Sequence, residues 1–271
     1  NYQPDLSMIR ATFCLVILQV FSSEVLAMTS VTLHGITDTL KPEDEKYADA
    51  LNTAADAFRE AEALFNDEGF IARRGWKKEA ETEDDDEVYG HHTKNGKMVT
   101  VSTVLEGQVD AVMNETWTGI DGLPKWNPNI NYASIVATLT DYADIVTYGN
   151  NDVLIVSGRD FVSARIYRPL ETGGYLMTSR SVQVDSKPET KEKVRAHLFL
   201  AAARFRPHPE HAATKTLCDV IMQVDLKGMI PKMLVNQVIP KIMVMDTEEN
   251  VRHFKELAEQ AKEKEKENGS K

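Results

Sequence analysis

Apolar residues recur at intervals of three and four in three parts of the chain, which is the spacing of one face of a helix. The first part runs from Pro42 to Phe70, where Pro42 suits a first helical turn and Gly69 and Gly75 favour a stop. The others are a short stretch, Asp110 to Thr118, and a long one, Met229 to about Lys262. We therefore predict an early helix, a short central helix and a long C-terminal helix.

Between these stretches the pattern is typical of strands, with β-branched and aromatic residues separated by turn signals. Asn95-Gly96 predicts a hairpin between Val88 and Leu105. The remaining predicted strands are Ala133–Leu139, Ala143–Tyr148, Val153–Val156, Phe161–Tyr167, Tyr175–Val184, Lys193–Phe205 and Thr216–Val224. Such short connections indicate antiparallel pairing. The order predicts an α+β fold in which the C-terminal helix covers one face of the sheet, and it leaves open whether the space beneath is filled or hollow.

The C-terminal helix carries two unusual features. Its start is rich in methionine, and we expect Met229, Met233 and Leu234 to face a variable ligand, although core packing explains such a stripe equally well. Pro240 lies inside the helical pattern and removes a hydrogen bond, so it predicts either a hinge or a static kink.

The composition narrows the class of partner. The chain has 271 residues and a formal net charge of -11, which disfavours nucleic acid because phosphate binding needs a basic surface. A local patch could still touch a membrane. The two cysteines, Cys14 and Cys218, lie in apolar runs and predict no disulfide framework.

Residues 1–27 form a leader with two interpretations. Arg10, an apolar stretch from Ala11 to Phe21 and small residues before Ala27 are typical of a secretory signal peptide. Alternatively, Met28 is the initiator and the protein is cytoplasmic, peripheral at organelle membranes. The charged residues 263–271 are expected to form a tail, and 28–44 a linker.

Catalytic and metal-binding motifs are not apparent. The chain contains no Gly-x-Ser-x-Gly or His-Glu-x-x-His motif. The acidic run from Glu79 to Glu87 lacks the ligand spacing of a calcium loop. We expect neither an enzyme, nor a metal site, nor a cofactor.

Five strings at compatible spacing closely resemble the START domain, a lipid-transfer module, and most closely its steroidogenic acute regulatory and late-endosomal sterol-binding branch. They are Trp76-Lys77, Asn95-Gly96-Lys97, Trp126-Asn127-Pro128, the run from Val156 to Arg165 and the run from Val224 to Lys232. The resemblance spans about Tyr47 to Gln260, and we place the domain at 45–262. It implies a helix-grip fold, a curved antiparallel sheet around a long C-terminal helix enclosing a lipid tunnel.

The implied function is to bind one apolar lipid and transfer it between membranes, as a monomer. A sterol such as cholesterol is the expected ligand. A carotenoid (xanthophyll) is the alternative, and a secreted ligand-sequestering protein is another if the leader is a signal peptide.

The resemblance also implies site residues. Arg165 corresponds to a cavity arginine that pairs with an acid on the adjacent strand, and strand alternation sets it opposite Ala164 and Ile166. Gly149 stands where that acid is expected, so either Asp152 substitutes or Arg165 meets the ligand directly.

Other positions follow from the same family pattern. Asn127 either lines the cavity or caps a turn. The lipid is expected to pass beneath the C-terminal helix, with Pro240 as hinge, and a loop formed by Leu170, Gly173 and Gly174. Trp126, Arg159, Asp160 and Phe161 form the structural motif, with Arg159 and Asp160 expected to lock a turn.

Overall fold

A computed structural model describes residues 28–153 and 156–269 of the chain. The predicted leader at 1–27 and the last two residues of the predicted tail lie outside these residues. Five α-helices occur in the described part: α1 (Ala48–Phe65), α2 (Glu68–Ile71), α3 (Val109–Thr118), α4 (Leu123–Trp126) and α5 (Lys232–Gly269). Short 3-10 helices at Pro42–Tyr47 and Gly119–Gly122 precede α1 and α4.

Strands make up most of the rest, and those described pair antiparallel except β10. They are β1 (Ser30–Leu33), β2 (Ile36–Thr39), β3 (Lys77–Glu81), β4 (Glu87–Thr93), β5 (Gly96–Glu106), β6 (Ile130–Thr138), β7 (Ala143–Asn150), β8 (Arg159–Pro169), β9 (Tyr175–Ser181), β10 (Val194–Arg195), β11 (His197–Pro207) and β12 (Lys215–Asp225). The large sheet has the order β3-β4-β5-β12-β11-β9-β8-β7-β6. Most paired strands are neighbours along the chain joined by short hairpins, whereas β5 pairs with β12, and β9 pairs with β11 across a longer segment that contains β10. The predicted α+β fold is confirmed.

The two faces of the sheet are covered by different helices. On the outer face, α1 packs its alanine-rich side and Phe58 against Ile145, Ala164 and Ile166. On the inner face, α5 contributes Val238, Ile239 and Met243 to a second cluster. Because successive side chains of a strand point to opposite faces, each strand supplies both clusters.

Residues 28–44, predicted as a linker, contain the hairpin formed by β1 and β2. Arg168 holds this hairpin against the sheet, since its Nε donates to the Leu33 carbonyl at 3.1 Å and its guanidinium pairs with Asp38. Both charged side chains are buried. The hairpin is therefore part of the folded unit, and the prediction of a linker is wrong over these residues.

Two predicted strands differ from those observed. Val153 and Val156 form only an isolated bridge in the loop between β7 and β8. The predicted strand from Lys193 to Phe205 divides into β10, which pairs parallel with β8, and β11. Helix α5 includes Pro240, as predicted, but it begins at Lys232 instead of Met229 and continues through most of the predicted tail to Gly269.

Candidate functional site

A cavity lies between the inner face of the sheet and α5. It has two adjoining compartments, of about 280 Å³ and about 80 Å³. Both compartments are bordered by Tyr148, Leu198, Met222 and Asp246. Together they reach the lower end of the roughly 300–1,000 Å³ range of small-molecule sites.

The lining is mostly apolar. Strands β11 and β12 supply the floor of the larger compartment, including Ala201, Phe205 and Val220, and α5 supplies Met243 and Phe254. The smaller compartment is bordered by Phe161, whose ring stacks on Tyr148 at 4.7 Å between centroids. Such a surface favours an apolar ligand, because each Å² of apolar area removed from water stabilises binding by ~25 cal/mol.

Arg165 lies on the inner face of β8, as alternation predicted, and it pairs with Asp144. Residue pairing in the β7–β8 hairpin places Asp144 directly opposite Arg165. The Arg165 Nε donates to Asp144 Oδ1 at 2.9 Å and Nη2 to Oδ2 at 2.5 Å. Both side chains are buried. A buried charge is stable only when paired, and this pair meets that condition.

The expectation that Gly149 occupies the position of the acid, with Asp152 as substitute, is wrong. Gly149 is an odd number of residues from Asp144 on β7, so it points to the outer face and cannot meet Arg165. A Cβ at Gly149 would lie 2.3 Å from the Tyr132 ring. Asp152 is exposed, and its Oδ1 accepts a hydrogen bond from Gly158 N at 2.7 Å across the β7–β8 loop.

Trp117 covers the Arg165–Asp144 pair from α3. The guanidinium lies 4.4 Å from the Trp117 ring centroid, and Nη2 also donates to the Trp117 carbonyl at 3.1 Å. Among the residues that line the two compartments, neither Arg165 nor Asp144 is found. The predicted face of Arg165 is thus confirmed, while a ligand contact at Arg165 stays a prediction.

Asp246 on α5 is the ionisable carboxyl group in the cavity lining. Burial raises the pKa of the Asp246 carboxyl to about 6, and interactions with the side chains of Asn127 and Asn129 lower it in part. Asp246 is half-buried by surface area, and because it borders both compartments the surface that it retains faces the cavity. Sequence reasoning missed this residue.

Asn127, predicted to line the cavity or cap a turn, does the latter. It is buried after α4, and its Oδ1 accepts a hydrogen bond from Asn129 N at 2.9 Å. Its side chain also interacts with Asp246. The residue is therefore next to the cavity, while Asn129 borders the smaller compartment directly.

The predicted contacts at the start of the C-terminal helix are wrong in this structure for Met229 and Met233, which are 104% and 68% exposed. Met229 precedes the first helical residue, Lys232, so the helical spacing does not determine its direction. Leu234 is half-buried and Pro240 is buried within α5. A hinge at Pro240 stays a prediction.

The loop of Leu170, Gly173 and Gly174 is a tight hairpin turn between β8 and β9. Leu170 packs with the outer cluster that contains α1, and the turn lies near His34 and Glu62. A Cβ on Gly174 would lie 2.0 Å from the Phe205 carbonyl oxygen, which explains the glycine. This placement differs from the predicted one beside the C-terminal helix.

The β7–β8 loop contacts that helix instead. Val153 and Val156 pack in the cluster formed by Val238, Ile239 and Met243 of α5. Val153 also borders the smaller compartment.

The motif residues have structural contacts, but Arg159 and Asp160 do not pair with each other. Arg159 Nε donates to the Leu226 carbonyl at 2.9 Å, which fastens the segment before α5 to β8. Asp160 pairs with Arg195 of β10 at 2.7 Å. Trp126 stacks on His253 of α5, with ring centroids 4.0 Å apart.

His253 thereby ties α5 to the helices at the end of the cavity. Its Nε2 lies 2.9 Å from Glu115 Oε1 on α3, and its ring lies on Trp126. No sequence motif indicates this contact, because it joins residues that are far apart along the chain.

Groups with catalytic potential are few. Cys218 borders the larger compartment, and burial raises the pKa of its thiol well above the usual range, which disfavours a nucleophilic thiolate. Among the described residues no group of three or more His, Cys, Asp or Glu side chains could hold a metal ion. No helix in the same part of the chain combines the length and apolar character needed to span a membrane.

A sheet that grips a long C-terminal helix over an apolar cavity defines a lipid-binding class of protein, and comparisons identify the family. The model of the START domain family matches residues 56–260. The chain is 53% identical over 247 residues to steroidogenic acute regulatory-like protein 1 of Caenorhabditis elegans, covering 90% of this chain and 95% of that protein. The chain therefore belongs to the START domain family, which binds and transfers lipids.

More distant relatives support the same family assignment. The steroidogenic acute regulatory protein of Xenopus laevis is 29% identical over 177 residues, covering 63% of this chain and 60% of that protein. The structure of human StAR-related lipid transfer protein 5 superposes with a TM-score of 0.68 at 19% identity, covering 78% of this chain and 99% of that one. This likeness confirms the helix-grip fold.

Proposed function

We propose that the protein binds one sterol in the cavity beneath α5 and carries it between membranes at the cytoplasmic face, as a monomer and without chemistry on the lipid. The observation that carries the proposal is an apolar cavity with a polar group, Asp246, in its wall. A sterol has the matching form, a rigid apolar body with one hydroxyl. The names of the relatives, which refer to steroidogenic regulation, support the same ligand class.

Transfer needs only binding and release. A sterol in water exposes several hundred Å² of apolar surface, at ~25 cal/mol per Å², and a cavity removes most of this penalty during transit. Because α5 forms one wall of the cavity, displacement of α5 would open the site.

Mass spectrometry of lipid extracted from the protein, purified from its native source, tests the ligand. We expect one 3β-hydroxysterol per chain, and saturable binding of the fluorescent sterol dehydroergosterol. Visible absorbance with a bound pigment would instead indicate a carotenoid. Fractionation of the native protein into medium or cytosol tests the location.

We predict that Pro240→Ala slows sterol transfer between vesicles several-fold while leaving the Kd for dehydroergosterol within about twofold. Proline removes one hydrogen bond from the helix ladder, and alanine restores the N–H and favours a continuous α5. A stiffer wall opens less often, which slows release in a process limited by opening.

The matched control is Lys241→Ala, at the exposed neighbouring position on α5. It is expected to leave the transfer rate unchanged. An unchanged or faster rate in Pro240→Ala would show that Pro240 is a static kink.

A further inference from the structure

Asp246 and Asn129 form a polar region in the wall of the cavity. The Asp246 carboxylate borders both compartments, and Asn129 borders the smaller one. The Asn129 side chain interacts with Asp246, yet its buried Nδ2 has no hydrogen bond that meets ordinary distance and angle limits within the described part of the chain. A buried donor without a partner is costly, so a ligand atom that accepts from it would be stabilised.

The other buried charges near the cavity are already satisfied. Arg165 and Asp144 form two hydrogen bonds with each other, and Trp117 covers the guanidinium. A ligand hydroxyl would have to disrupt these contacts to bind there. Asp246, in contrast, forms no ion pair with any described residue, and the side chains that interact with it, Asn127 and Asn129, are uncharged.

We propose that Asp246 and Asn129 bind the hydroxyl group of the transported lipid, with the Asp246 carboxylate accepting a hydrogen bond from the hydroxyl and Asn129 Nδ2 donating one to its oxygen. This inference rests on the sterol function proposed above and names the residues that read the ligand. It assigns the polar end of the cavity to α5 and the loop after α4, away from the Arg165–Asp144 pair.

The chemistry of this donor–acceptor pair predicts a particular selectivity. A hydroxyl both donates and accepts, so it satisfies Asp246 and Asn129 together. A ketone only accepts, and its oxygen would face the carboxylate with no proton between them. A hydrocarbon satisfies neither group. The order of affinity at one end of the same sterol should therefore be alcohol first, then the ketone and the hydrocarbon.

The test measures Kd at pH 7.5 for three sterols that differ at one position: cholesterol, 5-cholesten-3-one and 5-cholestene. Each displaces dehydroergosterol, whose own Kd is measured for every variant. At this pH Asp246 is ionised, because its pKa is about 6. We expect the wild type to prefer cholesterol over 5-cholestene by roughly ten- to a hundredfold, the range for a hydrogen bond to a charged group.

Two substitutions at Asp246 change the affinity for different sterols. Asp246→Leu should reduce the ratio of cholesterol to 5-cholestene affinity to about one, while binding of 5-cholestene is retained or improved. Asp246→Asn supplies an amide donor, so it should bind the ketone several-fold more tightly than the wild type does. Glu259→Gln, at an exposed position on the same helix, also removes one negative charge. It is expected to change neither the ratio of cholesterol to 5-cholestene affinity nor the affinity for the ketone.

The outcomes separate the two proposals. Equal affinity of the wild type for cholesterol and 5-cholestene, or an unchanged ratio in Asp246→Leu, would overturn the assignment of Asp246 and leave sterol binding standing. Absence of displacement by all three sterols in every protein, together with no dehydroergosterol binding, would overturn the sterol function itself and the sterol-hydroxyl assignment with it.

Discussion

Replacing Arg165 with methionine is expected to lower the free energy of unfolding by about 3–5 kcal/mol, the usual effect of leaving a buried charge without its partner. Asp144 would then be a buried carboxylate with no cation beside it. The loss of the contact between the guanidinium and Trp117 adds to the effect. Urea unfolding followed by tryptophan fluorescence measures the change.

The double variant Asp144→Leu/Arg165→Met is the informative control. Removing both charges also removes the cost of burying them, so most of the lost stability should return. Because the described lining of the cavity does not include either residue, this variant should bind dehydroergosterol as the wild type does. A stable double variant that no longer distinguishes cholesterol from 5-cholestene would show that Arg165, and not Asp246, reads the hydroxyl.

The fold was predictable because its signals are local. The period-two pattern of the strands, the Asn95-Gly96 turn and the three-four spacing of α1 and α5 each depend on neighbouring residues. The face of Arg165 was predictable for the same reason, since alternation along one strand determines it.

The partner of Arg165 was not predictable by counting from the family pattern. The β7–β8 loop is short, and hydrogen-bonded register between the strands, rather than distance along the chain, sets which residue lies opposite Arg165. In the observed register Asp144 lies opposite Arg165, and its side chain is on the other face of the sheet from the position of Gly149. Asking which acidic residue of β7 shares a face with Arg165 would have selected Asp144.

Asp246 carries no local signal at all. It follows Met245 and begins a polar run that continues to Asn250 in an amphipathic helix, and such residues normally face water. Only the packing of α5 against the sheet turns it toward the cavity. The exposed Met229 illustrates the opposite error, because an apolar residue outside the helix does not follow its periodicity.

The same burial predicts that Asp246→Asn stabilises the ligand-free protein at pH 7.5, by up to about 3 kcal/mol. The pKa of Asp246 rises from 3.8 to about 6 in the folded state, and each unit corresponds to ~1.36 kcal/mol. Folding therefore favours the protonated form. Above about pH 6 the ionised carboxylate lowers the free energy of unfolding by its full amount. This destabilisation disappears as the pH falls below the pKa of Asp246 in the unfolded state.

Thermal unfolding of the ligand-free wild type and Asp246→Asn from pH 4 to pH 8 measures this contribution. The Tm of the variant should exceed that of the wild type at pH 7.5, by roughly 2–4 °C per kcal/mol, and the two should converge toward pH 4. Tyr148, which faces Asp246 from β7, stays neutral over this range because burial raises its pKa. His253 on α5, with its partner Glu115 on α3, contributes equally to both proteins and cancels in the difference.

A variant that is more stable yet less selective for the hydroxyl would show why an ionisable group is placed in an apolar wall. Asp246 is then a residue whose burial lowers the stability of the empty protein and whose partner is the ligand. Equal Tm values at pH 7.5 would show that Asp246 is solvated in the empty cavity, and a lower Tm in the variant would show that the carboxylate stabilises the fold through Asn127 and Asn129.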